Sequence, residues 1–504
     1  MLRNIGSNWV LILVTIAATY VLTPFIIRTL GQEGYGTWTL ITAMTGYMSL
    51  LALGVPMASV RYLTQDIAEG DSEKMNKTIG TCVGLYLMIG AAALMVGGAL
   101  TAALAMFFEV PPSLHVEAII ACALMAVQVS AGFIGLLPEG IMFAHHEFVV
   151  RNVIRIAGVL LRLGLTLAAL AVSPSLIALA LVQTACLAFD FGVSWLLIRR
   201  RYPRVRISIA DFDRAVLRRI LSFSLYVLLL GAGARLIFET DAVVIGAFMG
   251  VGSIPYYIVA NSLVVYVMDF VIAIAAVVSP MATKLSTEGN TAQLRDIFLR
   301  WSKVALSLSV MVGLFLVVFG PAFIGQWIDP SFAGPSGQVL QILMISHLAF
   351  LPIRGVAIPI LLGIGKPQVP TVALLIAGAV KVALSVALIG PLGLAGVAVA
   401  TAIPNVLFAV AMLVITCREL GLSTGAYLTY VVPRVAVGSV PVLAFLVAWG
   451  IVFRVDSLAG LIAAGAAMMV VFAITWVQYV YRDDPYVDLR AHLAGRRGWG
   501  WSRA

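Results

Sequence analysis

The chain has 504 residues, 62% of them hydrophobic and only 11% charged, with a mean hydropathy of +1.05. Soluble domains carry about 25% charged residues, so the composition excludes a soluble enzyme and points to an integral membrane protein. A net charge of +9 does not indicate nucleic acid here, because the basic residues sit in short connections between apolar runs.

Runs of eighteen or more apolar residues suggest membrane helices, and about fourteen occur. The predicted spans are 8–27, 36–57, 78–107, 115–137, 152–172, 175–197, 221–249, 255–283, 303–325, 337–363, 368–388, 392–416, 430–453 and 458–481. No period of two persists over these lengths, which excludes a membrane β-barrel. The expected fold class is an all-α membrane protein. The first run, Trp9 to Ile27, ends without an A-x-A motif and reads as an uncleaved helix rather than a signal peptide. Cys82, Cys122, Cys186 and Cys417 lack paired spacing and read as small apolar side chains.

With residue 1 placed inside, twenty-four Lys and Arg fall in inner connections, two (Arg28, Arg454) in outer ones and six within spans. Such asymmetry predicts cytoplasmic termini and an even number of spans. Trp9, Trp195, Trp301 and Trp476 fall at inner ends, and Trp38, Trp327 and Trp449 at outer ends, where amphipathic indoles prefer to sit.

The stretch Leu30-Gly31-Gln-Glu-Gly-Tyr35-Gly36-Thr-Trp-Thr-Leu40 is echoed by Met249-Gly250-Val-Gly-Ser-Ile-Pro255-Tyr256-Tyr-Ile-Val-Ala260. Each is a glycine-containing outer turn followed by an aromatic that opens the next helix. Six spans separate them, so both copies have one orientation. This predicts two pseudo-symmetric six-helix lobes, 1–198 and 220–417, with a site between them. The basic connection 199–219 would link them, and 418–504 would add two further helices and a tail. The connection's eight arginines most simply fix orientation, and they could also bind anionic headgroups. The tail around Ala491–Trp501 is expected to be interfacial.

No catalytic or metal signature survives inspection. His145-His146-Glu147 is not HExxH, and Gly363-Ile-Gly365-Lys366-Pro367 is neither a phosphate loop nor a dinucleotide turn. Asn76-Lys-Thr78 matches a glycosylation sequon but lies on the predicted cytoplasmic side. No cofactor is expected, and with no ATP-binding domain any transport would use a gradient or run downhill.

The informative residues are intramembrane ions, which rarely face lipid. Arg235 and Glu239 are four apart and can pair. Asp241 would point roughly 160° away from Glu239 on a continuous helix. Arg151, Arg155 and Arg162 share one helical face, with Arg155 able to snorkel inward. Measured from the inner edge, Arg162 lies about 16 Å deep, Lys381 about 20 Å and Arg235 about 21 Å. Arg354 lies in the inner half of its span. Asp190 and Asp269 complete the acids. The cations Arg162, Arg235, Arg354 and Lys381 suit an anionic substrate in a cavity, with interhelical ion pairing as the plainer alternative. Glu239 and Asp241 are candidates for ion or proton coupling, or for pairing.

Leu30-Gly31-x3-Tyr35-Gly36-x-Trp38 resembles the polysaccharide transporter family, as does Thr240-Asp241-x3-Ile245-Gly246-x3-Gly250-x5-Tyr256-x3-Ala260. That family belongs to the multidrug/oligosaccharidyl-lipid/polysaccharide exporter superfamily. The resemblance implies two six-helix lobes plus two helices, in the inner membrane. It also implies flipping of an undecaprenyl-pyrophosphate-linked oligosaccharide from the cytoplasmic to the outer leaflet. The implied partners are that lipid-linked sugar, membrane lipid, and a polysaccharide polymerase with glycosyltransferases. An ion-coupled multidrug antiporter and a lipid II flippase are the alternatives.

Overall fold

The computed structural model describes residues 2–52, 54–453 and 455–487. Arg454 and the 491–501 tail lie outside the described residues. Helices follow one another as α1 (Leu2–Gly46), α2 (Val55–Ala68), α3 (Ser72–Phe107), α4 (Pro112–Ala144), α5 (Phe148–Val172), α6 (Leu176–Arg201), α7 (Arg214–Phe238) and α8 (Thr240–Met249). They continue as α9 (Ile254–Ile272), α10 (Ala275–Thr287), α11 (Thr291–Trp327), α12 (Ala333–Gly363), α13 (Gln368–Glu419), α14 (Thr424–Val431), α15 (Pro433–Val452) and α16 (Leu458–Thr475). Among the described residues there is no strand. This follows from the bilayer, where each backbone polar group must be bonded within its own segment.

Eleven stretches of the described residues are long and apolar enough to cross a membrane. Two of them, within α1 and α13, each carry two predicted spans. The division falls at single non-helical glycines, Gly31 (φ 74, ψ 173) and Gly393 (φ 57, ψ −136). Predicted outer loops are thus reduced to one-residue turns. Gly250, in the echoed segment, has φ 79 and ψ 162, nearly the backbone of Gly31. That region of φ/ψ space is open essentially to glycine alone.

The chain forms two compact units, Met1–Pro255 and Tyr256–Ala504. The division falls at Pro255, and the 199–219 connection, expected to link two lobes, is held within the first unit. In the first unit, α3 is the central helix, burying Ile79, Cys82, Tyr86 and Ala93 among Phe133, Leu137 and Ile141 of α4. Gly97 permits the close approach, since a Cβ there would lie 2.4 Å from that of Ala126. In the second unit, α11 and α12 interlock through Gly337 against Pro321 and Gly320 against Leu340. The additional helices α15 and α16 pack on α11 through Val442, Leu446, Leu461 and Ala464 around Phe319. All four cysteines are buried and unlinked.

The two echoed turns meet inside the first unit. A Cβ on Gly36 would stand 1.9 Å from the carbonyl oxygen of Val251 and 3.2 Å from the ring of Pro255. Gly36→Ala must push the second turn away. It is expected to lower stability by about 1–3 kcal/mol, the usual cost of overpacking, read as a fall in thermal midpoint in detergent. Gly164→Ala, where nothing lies within 4 Å, is the neutral control.

Candidate functional site

In the first unit, α7 stops at Phe238, within the predicted span 221–249. Arg235 in its last turn pairs with Glu239, as the spacing predicted. Glu239 itself (φ −122, ψ −6) leaves the helix, and α8 starts afresh at Thr240. The 160° separation of Glu239 from Asp241 assumed an unbroken helix and does not apply. Asp241 instead sits in the first turn of α8, only 3% exposed, where a helix N-terminus favours a carboxylate.

A second interruption lies against this one. The returning arm of α1 ends at Gly46 and tightens into a 3-10 turn, Tyr47–Ala52. A Cβ on Gly46 would be 3.0 Å from the Glu239 carboxylate and 3.3 Å from the Arg235 guanidinium, so the ion pair lies on the bare face of that glycine. The Tyr47 and Thr240 hydroxyls are 2.7 Å apart. Two breaks therefore share one polar seam.

Arg162 on α5 is exposed and within electrostatic range of Tyr35 and Cys186. Tyr35 and Gly46 mark the two ends of the returning arm of α1, about 16 Å apart at 1.5 Å per residue. Arg162 and Arg235 belong to the same unit.

Arg155 does not snorkel freely. It donates to Glu139 at 2.9 and 3.2 Å, and Arg151 approaches the same carboxylate at 3.5 Å. These three and Asp190 line a cavity of about 140 Å³. Oδ1 of Asp190 is buried without a hydrogen-bond partner among the described residues, pressed to the face of α5 at Gly158, where a Cβ would lie 2.6 Å away. Glu139 escaped the sequence reading because the predicted span stops at 137, whereas α4 runs on through Pro138 to Ala144.

In the second unit, Arg354 on α12 lies 5.8 Å from the Phe350 ring and within electrostatic range of Asp269. His347, one face of the same helix, feels both Arg354 and Lys381. The fold thus gathers these two predicted cations around one histidine. Lys381 is 1% exposed, and so are Ser385, one turn on, and Asn405. Asn405 and Lys381 are equidistant from Gly393 along the two arms of α13, which puts them at one depth. Tyr257 and Thr401 hydroxyls, 3.3 Å apart, add to this polar interior.

Sequence reasoning also missed a fully buried ion pair. Lys303 was counted to an inner connection and Asp484 to the tail. They meet at 2.5 Å with side chains 1% and 0% exposed. The Tyr430 hydroxyl donates to both Asp484 oxygens at 2.9 and 3.1 Å, and the backbone N–H groups of Tyr486 and Val487 donate to Oδ1. No spacing rule could have joined them across so many residues. Among the described residues no cluster of three His, Cys, Asp or Glu could hold a metal ion.

This helical architecture, with its glycine-hinged span pairs and buried ions, shares its fold with solved structures of the multidrug/oligosaccharidyl-lipid/polysaccharide superfamily. An inward-facing multidrug resistance MATE family transporter matches it with a TM-score of 0.67 at 18% identity, over 81% of this chain and 98% of that one. The lipid II flippase MurJ in an inward closed conformation matches with a TM-score of 0.74 at 12% identity, over 96% of this chain and 99% of that one. The chain belongs to the family described as "Polysaccharide biosynthesis protein", which matches residues 1–286. It is also similar to the uncharacterized membrane protein EpsK of Bacillus subtilis (strain 168), 22% identical over 94% of each chain.

Two predictions follow from the pairs. Asp484→Ala strands a buried ammonium and should cost about 3–5 kcal/mol, whereas Lys303→Met with Asp484→Leu should restore most of it, as measured by unfolding in detergent. The Arg235–Glu239 pair is about one-third exposed on each side. Solvent screening should hold its coupling energy to about 1 kcal/mol or less in a double-mutant cycle; additive losses would mean that the two side chains act independently.

Proposed function

We propose that this protein flips an undecaprenyl-pyrophosphate-linked oligosaccharide from the cytoplasmic to the outer leaflet of the inner membrane by alternating access, with both termini cytoplasmic. The observation that carries this reading is the family match. The fold supports it, since the likeness to a lipid flippase takes in nearly the whole chain while the likeness to the multidrug transporter takes in 81%.

A pyrophosphate leaving water needs charge-assisted partners, and arginine offers a planar fork that matches it. Arg235 is the inner-end contact. Its existing partner Glu239 holds it in place and is exposed enough to be exchanged for substrate. Arg162 on α5, within electrostatic range of Tyr35, is a later contact on the same route. Arg354 and Lys381 are the cations of the second unit's polar interior, and Glu239 and Asp241 serve ion coupling or pairing. A polyprenyl tail can stay in lipid throughout. Ion-coupled multidrug antiport is the second reading, favoured by the buried, unpartnered oxygen of Asp190, which a cation or proton could use. Lipid II remains the alternative flippase substrate.

Each alanine variant, Arg162→Ala or Arg235→Ala, loses a charged hydrogen-bonding partner for phosphate, a class of interaction worth about 1.5–3 kcal/mol. Flipping should fall about 10- to 100-fold with the protein still inserted, read by leaflet-specific labelling of the lipid-linked sugar in cells. Undiminished flipping by both variants overturns these contacts. Proton- or sodium-driven efflux of cationic dyes by the purified wild type, with no oligosaccharide bound, would establish the second reading.

A further inference from the structure

The transport reading leaves unused the most cationic surface of the first unit, which runs from the end of α6 through Tyr202–Asp213 to the start of α7. Of its eight arginines, three are engaged. Arg201 pairs with Glu147 at 2.7 Å. Arg199 lies 6.0 Å from the Trp195 ring. Arg219 stacks 4.0 Å above Tyr62 and donates to Gln65. The other five, Arg200, Arg204, Arg206, Arg214 and Arg218, are exposed and make no ion pair among the described residues. The segment's acids are few. Asp213 turns its carboxylate to the N–H groups of Ala215 and Val216, leaving only Asp211.

This surface is fixed rather than loose. The Asn76 side chain accepts the Arg206 N–H at 2.8 Å and donates to the Arg204 carbonyl at 3.2 Å. The Thr81 hydroxyl accepts the Asp213 N–H at 3.0 Å. Ser208 and Asp211 press onto Gly80, and Phe212 onto Gly84, so tightly that a Cβ on either glycine would fall within 3 Å. Asn76 and Thr81 are about 7 Å apart along α3, so the backbone carrying Arg204 and Arg206 is pinned close to that leading into Arg214. Little ordering entropy remains to be lost on binding.

The placement of the arginines argues for an anionic partner. Those ending α6 stand by carbonyls that favour cations, but Arg214 and Arg218 stand at the opening of α7, where the helix dipole opposes them. An anion there meets guanidinium forks, while the N–H groups of Ala215 and Val216 stay capped by Asp213. Ile209, 56% exposed, belongs to the same stretch and suits the boundary of headgroup and acyl chain. The segment follows directly on a membrane-crossing helix, so it lies at the bilayer surface.

We propose that this surface binds the anionic phospholipid of the leaflet it faces, phosphates lodging among Arg204, Arg206, Arg214 and Arg218 while Ile209 enters between headgroups. The inference stands apart from the transported substrate. The test is native mass spectrometry of the purified protein in detergent mixed with phosphatidylglycerol or phosphatidylcholine. Wild type should retain phosphatidylglycerol preferentially, and added salt should erode the preference. Each arginine near an anionic surface counts for about fivefold, so the five Arg→Gln changes together should reduce the preference at least tenfold, and five Arg→Lys changes should keep most of it. Should the glutamine variant fail to insert, Arg204→Gln with Arg206→Gln, confined to the connection, should still weaken retention. Equal retention of the two lipids by wild type, or an unchanged preference in these variants, overturns the proposal. Displacement of the lipid by a soluble poly-glutamate peptide at comparable concentration would also overturn it, in favour of an acidic protein partner.

Discussion

Backbone amides inside a bilayer have no water to bond, and each one left unbonded costs several kcal/mol. The whole chain is arranged to avoid that cost. Spans stay helical across prolines such as Pro24, Pro138 and Pro404. Where α7 and the returning arm of α1 do break, the breaks lie side by side and share Tyr47, Thr240, Arg235 and Glu239. An interruption inside the membrane and a cluster of polar side chains are thus one feature seen from two directions: the polar groups make the break tolerable, and the break gives them room.

Burial separates the ion pairs into two kinds. Lys303 and Asp484 are sealed, with tyrosine and backbone donors completing the carboxylate's shell, so neither ion can leave without a large penalty. That pair fastens the segment after α16 to α11. Arg235 and Glu239 keep about one-third of their surfaces open, so the desolvation that would trap them is incomplete and a phosphate can compete for the guanidinium. Arg155 and Glu139 are similarly open, beside a carboxylate that has not spent all its hydrogen-bonding capacity. Exchangeable charges and fixed charges therefore occupy different helices.

Much of the fold was legible because its signals are local. Apolar run length marked the spans, and the glycines at 31 and 250 announced a duplicated turn that shares one backbone conformation. The i, i+4 spacing gave Arg235–Glu239. What failed depended on geometry that sequence distance cannot carry. The break at Glu239 is invisible to helical periodicity, because the residues on both sides of it are helix-compatible. The predicted span stopped at 137, short of the helix end at Ala144, which hid Glu139 from the list of intramembrane acids. Lys303–Asp484 is a long-range contact that only tertiary structure can reveal.

The one-residue hinge at Gly31 has a consequence for how the protein meets the world beyond its membrane. Two spans joined through a single glycine expose no flexible chain at their junction. A protease needs several extended residues to seat in its cleft, and an antibody needs a protruding loop to enclose. The helical hairpins of α1 and α13 offer neither. At those junctions the protein presents almost nothing to cut or to recognise.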